Sequence, residues 1–188
     1  MAIFFGRILY MFLWFGIDVD EYLSKLKEKA EKIESEIGYA HSNFTLPLHI
    51  SLKISFEADA SAKDDIVNDV VRLFSETKPF LVKTGKIERE DNICWLRYRE
   101  NDALLSIQKR LNELLNKKHG IPYHAYDLDF KFHTTLFMDD DTEKVALSYE
   151  KIKDEKFPDT VYAKRFLLGR SENGDIGTYE IFGEVKTK

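Results

Sequence analysis

A chain of 188 residues with a net charge of -5 and a pI near 5.6 does not coat long nucleic acid by neutralising phosphates, although a small or terminal phosphate remains compatible with it. Its hydrophobic fraction of 44% and charged fraction of 32%, without any low-complexity tract, describe an ordinary globular protein. One compact unit covering residues 1–188, or two lobes sharing a core, is expected. The lone Cys94 cannot form an internal disulfide, so a reducing compartment, the cytoplasm, is the expected location.

Met1 to Ile17 is strongly apolar but is interrupted by Gly6 and Arg7 and followed by Asp18, Asp20 and Glu21. It is shorter than the ~20 residues of a membrane helix and lacks a small-residue cleavage site. Leu9 to Ile17 reads as a buried strand, and Met11 is a second candidate start. Leu23, Leu26, Ala30, Ile33 and Ile37 then recur at helical spacing over Val19 to Glu36, with Gly38 as the stop. A loop with Asn43 and Pro47 leads to a strand from Leu48 to Phe56. Asp59 or Ser61 is placed to cap a second helix, which buries Ile66, Val67, Val70, Val71 and Phe74 and closes at Pro79. Strands are expected over Leu81 to Arg89 and Ile93 to Arg99, joined by a turn at Asp91-Asn92.

The order then repeats. Leu104, Ile107, Leu111 and Leu114 mark a helix that His119-Gly120 stops, and a loop leads to a strand from Phe130 to Phe137. A further helix starts near Asp141-Thr142, turns Val145, Tyr149 and Ile152 inward and ends before Pro158. Val161 to Leu168 and Thr178 to Val185 read as a closing hairpin around Ser171 to Gly177. Each half runs strand, helix, strand, helix, strand. The pattern implies an α+β, bilobal, duplicated fold: two antiparallel sheets facing a central cleft, with helices on the outside.

The third element of each half carries the chemistry. Alternation puts His49, Ser51, Lys53 and Ser55 on one strand face, opposite Leu48, Ile50, Leu52, Ile54 and Phe56. In the second strand Lys131, His133 and Thr135 share a face, opposite Phe130, Phe132, Leu136 and Met138. One His on a strand is commonly structural. Two copies in matching slots, each two residues from a hydroxyl, point to a proton-transferring pair. One imidazole takes a proton from the nucleophile and the other gives one to the leaving oxygen. Ser51 and Thr135 are placed to hold an anionic oxygen, and Lys53 and Lys131 to favour its charge. A phosphodiester suits that set.

The stretches His49-Ile50-Ser51-Leu52 and His133-Thr134-Thr135-Leu136 resemble the paired His-x-Ser/Thr-apolar motifs of the 2H phosphoesterases, in the branch similar to bacterial 2'-5' RNA ligases and cyclic phosphodiesterases. Ile93-Cys94-Trp95-Leu96, Leu167-Leu168-Gly169-Arg170-Ser171 and Gly177-Thr178-Tyr179 extend the likeness over most of the chain. The resemblance implies a bilobal α+β fold and metal- and cofactor-independent opening of 2',3'-cyclic phosphates or 2'-5' bonds in a nucleotide or short RNA. It implies motif hydroxyls on the phosphate. The chain departs from many ligase-like relatives in having Met138 where they carry Arg, so Lys53, Lys131, Arg97 and Arg165 are candidate replacements. A binding module for RNA ends or a nucleotide without turnover is the alternative, as is an RNA 2'-5' ligase running the reaction in reverse.

Tyr98, Tyr123 and Tyr126 are candidates to stack an unpaired base. His41, His119 and His124 fall in loops or at a helix end, where solvated or capping roles are commoner. Asp127 and Asp129 fall on the face of His133, where a metal site of two His and a carboxylate can be drawn. The same two carboxylates raise the expected pKa of His133, whereas Lys53 lowers that of His49. On that reading His133 is the general acid and His49 the base. The chain is expected to act as a monomer, away from membranes.

Overall fold

The computed structural model describes residues 10–175 and 177–187. In chain order it comprises β1 (Tyr10–Asp18), α1 (Asp20–Ile37), β2 (His49–Asp59), α2 (Lys63–Ser75), β3 (Phe80–Glu90), β4 (Ile93–Tyr98), α3 (Asp102–His119), the single turn α4 (Ala125–Leu128), β5 (His133–Met138), α5 (Thr142–Ile152), β6 (Thr160–Ala163), β7 (Arg165–Ser171) and β8 (Glu180–Lys186). Leu9, expected to open the first strand, lies outside the described residues. The strands form two four-stranded antiparallel sheets, ordered β2-β1-β7-β8 and β5-β4-β3-β6. The expected α+β class with two sheets is therefore the observed one.

Each motif strand, β2 and β5, is the edge of its sheet beside the first strand of its half, β1 and β4. The duplication is visible there. Leu13, Phe15 and Ile17 of β1 and Leu96 of β4 are fully buried in one hydrophobic cluster that also takes in Leu23, Leu26, Ala30 and Ile33 of α1 and Leu104, Ile107, Leu111 and Leu115 of α3. Gly38 ends α1 in the left-handed region at φ 81°, which a residue with a side chain adopts at a cost. Among the described residues no helix is long and apolar enough to cross a membrane.

Four expectations need correction. The second helix is capped by neither expected side chain: its N-cap is Ala62, and Asp59 instead accepts from the N–H and hydroxyl of Ser61. The second motif strand begins at His133 rather than Phe130, because the short α4 and a loop occupy the residues before it. Leu115 rather than Leu114 is the fully buried end of the α3 stripe. The expected strand Val161 to Leu168 is two strands that break at Lys164 and belong to different sheets, β6 beside β3 and β7 beside β1. That one-residue break carries the chain from one sheet to the other.

Candidate active site

In the β1–β2 ladder Asp18 stands opposite His49 and Gly16 opposite Ser51. In the β4–β5 ladder Arg97 stands opposite His133 and Trp95 opposite Thr135. His49, Ser51, His133 and Thr135 are all partly exposed, whereas Ile50, Leu52, Thr134 and Leu136 between and beyond them are buried. The two edge strands are tied together at the motifs. The Thr134 hydroxyl donates to the His49 carbonyl at 2.9 Å and in turn accepts from the Tyr98 hydroxyl at 2.8 Å.

Both imidazoles are held in the same way. His49 Nδ1 lies 2.8 Å from the Pro47 carbonyl and His133 Nδ1 2.6 Å from the Lys131 carbonyl, in each case two residues back. A carbonyl only accepts, so Nδ1 carries the hydrogen and the lone pair of the neutral ring sits on Nε2. Each ring also packs on an indole: Trp14 against His49 and Trp95 against His133, both with centroids 4.5 Å apart. The Trp14 indole fits because two strand positions beside it are glycine. A Cβ at Gly16 would lie 2.8 Å from its ring, and one at Gly169 would overlap it outright. Gly169→Ala is expected to push the indole off the face of His49 and to cost about 1–3 kcal/mol, since a packed ring cannot absorb the overlap. In a Trp95→Phe background, where Trp14 is the sole indole, its emission should shift with the melting temperature; unchanged emission would show that the ring does not rest there.

Burial lowers the pKa of both histidines. It pushes His133 down to about 4, against the Lys131 carbonyl, with the Arg97 guanidinium and His49 lowering it further. His49 is lowered by burial too, while the Pro47 carbonyl and then the Asp18 carboxylate favour its cation. The expected rise at His133 is thus overturned, while His49 is lowered as expected but by burial rather than by Lys53. Asp127 does not reach His133: its carboxylate is buried against the Lys53 ammonium and accepts the His124 N–H at 2.7 Å. The neighbour of His133 is a cation, and that of His49 an anion.

Lys53 also departs from its expected place. Register shifts on either side of Phe15 put Lys53 opposite this core residue, so after Ser51 the strand turns its next charged side chain inward. It is 2% exposed and bonded to Asp127, which removes it from the candidate phosphate cations. The same shift follows the second motif, where Phe137 stands opposite buried Cys94. Arg165 pairs with Asp18 at 2.6 Å, and exposed Lys131 with Glu90 at 3.4 Å. Arg97 differs from these. Its Nε is 3.7 Å from Glu88, its buried Nη1 has no partner, and its guanidinium lies 5.5 Å from the Trp95 ring. Of the four candidate cations it is the one with a buried donor left unpartnered among the described residues.

Of the aromatic candidates, Tyr98 is core, 6% exposed and engaged with Thr134, so it is not free to stack a base. Tyr123 and Tyr126 are exposed around α4, where His124 caps the helix. His119 is bound to Asp69 at 2.8 Å, linking α3 to α2. Among the described residues no three His, Cys, Asp or Glu side chains assemble as metal ligands, and Asp127 is committed elsewhere. Trp14, Trp95, Asp18 and the two glycines were not found from sequence. An indole near the middle of the first strand of each half was the available signal.

The family model for the 2'-5' RNA ligase superfamily matches residues 22–175. The chain belongs to that superfamily, the 2H phosphoesterases. Relatives include a "putative phosphoesterase" of Geobacillus kaustophilus, 33% identical over 143 residues that cover 73% of this chain and 78% of the relative. Another, from Geobacillus thermodenitrificans, is 30% identical over the same shares. The fold matches Escherichia coli LigT in its apo form with a TM-score of 0.61 at 16% identity, over 95% of this chain and 98% of LigT. It also matches LigT complexed with 3'-AMP, with a TM-score of 0.60, 15% identity and shares of 95% and 99%. A Thermus thermophilus protein, TT0787, gives 0.59 at 18% identity, with shares of 93% and 97%. Both Geobacillus relatives carry the name phosphoesterase, and the motif histidines of this member lie on the edge strands of its two sheets.

Proposed function

We propose that the protein is a phosphodiesterase that opens 2',3'-cyclic phosphates or cleaves 2'-5' linkages at the ends of short RNA or in nucleotides. The observation that carries the reading is the matched setting of the two imidazoles, each with Nδ1–H on a carbonyl two residues back and Nε2 left for a proton. Water gives a proton to His133 Nε2 as its oxygen bonds to phosphorus; the bond from phosphorus to the ribose oxygen breaks, and that oxygen takes the proton of His49. These roles reverse those expected from sequence: burial is the largest influence on both rings and lowers both, and what distinguishes them is the charged neighbour, the Asp18 carboxylate that favours the His49 cation and the Arg97 guanidinium that disfavours that of His133. Ser51 and Thr135 donate to the non-bridging oxygens, and Arg97 supplies the charge that many ligase-like relatives draw from an Arg at the position of Met138. LigT complexes with 3'-AMP and ATP support a nucleotide ligand for the fold, and the complex with phosphate supports an anionic phosphate group in it.

Both histidines come from one chain, so a monomer is the proposed catalytic unit, and the buried thiol of Cys94, pushed up to about 12 by burial, suits a cytoplasmic setting. Incubation with the nucleoside 2',3'-cyclic phosphates and a 2'-5' oligoadenylate, resolved by chromatography with and without EDTA, tests the reading. Turnover indifferent to chelation is expected, and binding without turnover of any substrate would replace the enzyme by a module for RNA ends. A pH profile tests the pair. The base must be neutral and the acid protonated, and both are held below the ordinary histidine value of about 6.5. Thus kcat/KM should rise as pH climbs through about 4 and fall again before or near 6.5, a bell on the acid side of neutrality. A plateau from pH 7 to 9 would contradict it.

A further inference from the structure

On the second sheet, the solvent-facing side continues beyond the histidine. Arg97 stands opposite His133, and Arg99 follows two residues on, about 7 Å further along the strand direction on the same face. The Arg99 N–H donates to the Lys83 carbonyl at 3.0 Å. Lys83 precedes core-facing Thr84, so its side chain shares the outer face, opposite Thr160; Leu81 shares it too, opposite Tyr162. A depression of about 680 Å³ lies there, lined by Lys83, Arg99, Lys156, Phe157, Glu155 and Asp159 among others. Among the described residues no ion pair engages Lys83, Arg99 or Lys156. Beside them Leu81 and Tyr162 are 59% and 37% exposed, an apolar and aromatic pair left to water on the same face.

We propose that this depression is a second phosphate subsite, one nucleoside away from the reacting phosphate, and that it makes the 3' end of an RNA strand a better substrate than a mononucleotide. Lys83, Arg99 and Lys156 hold the 5'-phosphate of the terminal nucleotide, and Tyr162 stacks the base before it. Cations beside an exposed ring are how single strands are held without sequence readout. Glu155 and Asp159 oppose the charge and keep the site from retaining free phosphate tightly. The inference rests on the phosphodiesterase reading for the position of the reacting end.

The test uses binding, so that it survives a failure of catalysis. The probes are 3'-AMP, adenosine 3',5'-bisphosphate and a short oligoribonucleotide ending in a 3'-phosphate and labelled at its 5' end. For the wild type the affinity should rise in that order, each step by about tenfold at low salt. Lys83→Ala with Arg99→Ala, both exposed, should abolish the advantage of the two longer probes and leave 3'-AMP alone. The same double variant should lower the salt slope of oligonucleotide binding by about 0.7 for each phosphate no longer neutralised. Tyr162→Ala should weaken only the oligonucleotide. If 3'-AMP binds and neither longer probe binds more tightly, the subsite is absent while the phosphodiesterase reading stands. If the double variant weakens all three probes equally, or none, the subsite is likewise overturned. Binding of the oligonucleotide through these residues without turnover would keep the subsite and remove the enzyme.

Discussion

Alanine at His49 or at His133 is expected to lower turnover of a nucleoside 2',3'-cyclic phosphate by about 10² to 10⁴, the usual contribution of a positioned general acid or base. Neither change should unfold the chain, since both rings sit at partly exposed edges of the two sheets. A substrate with a good leaving group separates the roles. A nitrophenyl phosphodiester leaves with little need of a proton, so on it His49→Ala should recover most of its loss and His133→Ala should not. Arg97→Gln would then reduce the penalty that the guanidinium places on the His133 cation and move the acid limb of the pH profile upward. Rescue of His133→Ala in place of His49→Ala would return the assignment to the one expected from sequence. Full activity in the double variant would remove the pair altogether.

What the sequence could and could not convey turns on one residue in each motif strand. Period-two alternation is enough to place His49 with Ser51 and His133 with Thr135, because a strand that buries Ile50 and Leu52, or Thr134 and Leu136, leaves its other face to water. The alternation then fails at the same point in both strands, immediately after the motif leucine, where the ladder slips and the next side chain turns inward. In the second strand that residue is Phe137, whose apolar side chain agrees with burial. In the first it is Lys53, whose charge advertises the opposite. Comparing the two copies position by position would have exposed the shift, since a phenylalanine and a lysine in equivalent slots cannot both face a phosphate. The split of β6 from β7 was hidden for another reason. Both pieces are apolar strands, and the departure at Lys164 has no glycine or proline to mark it. The charged contacts that distinguish the two histidines beyond their common burial, Asp18 with His49 and Arg97 with His133, join strands distant in sequence, and only the register reveals them.

Lys53 is accordingly expected to matter for stability rather than for phosphate. Its ammonium and the Asp127 carboxylate have side chains 2% and 0% exposed, with the Pro122 carbonyl 3.4 Å from the ammonium. The pair fastens the loop around α4 to motif strand β2, and Gln108 supports it from α3 by donating to the Asp127 carbonyl at 3.2 Å. Lys53→Met keeps the length of the side chain and leaves a carboxylate buried without its partner, with one oxygen already unpaired. Removing one member of a buried pair costs about 3–5 kcal/mol. In a chain of this length each kcal/mol shifts the melting temperature by roughly 2–4 °C, so a drop of about 6–20 °C should be seen. Replacing both members, Lys53→Met with Asp127→Leu, removes the stranded charge and should restore most of that loss, leaving about 1 kcal/mol for the missing cap on His124. Had Lys53 been a ligand of the substrate, the single variant would keep its melting temperature and lose affinity for nucleotide. A melt within about 2 °C of the wild type, with KM raised about tenfold, would therefore put Lys53 back in the cleft.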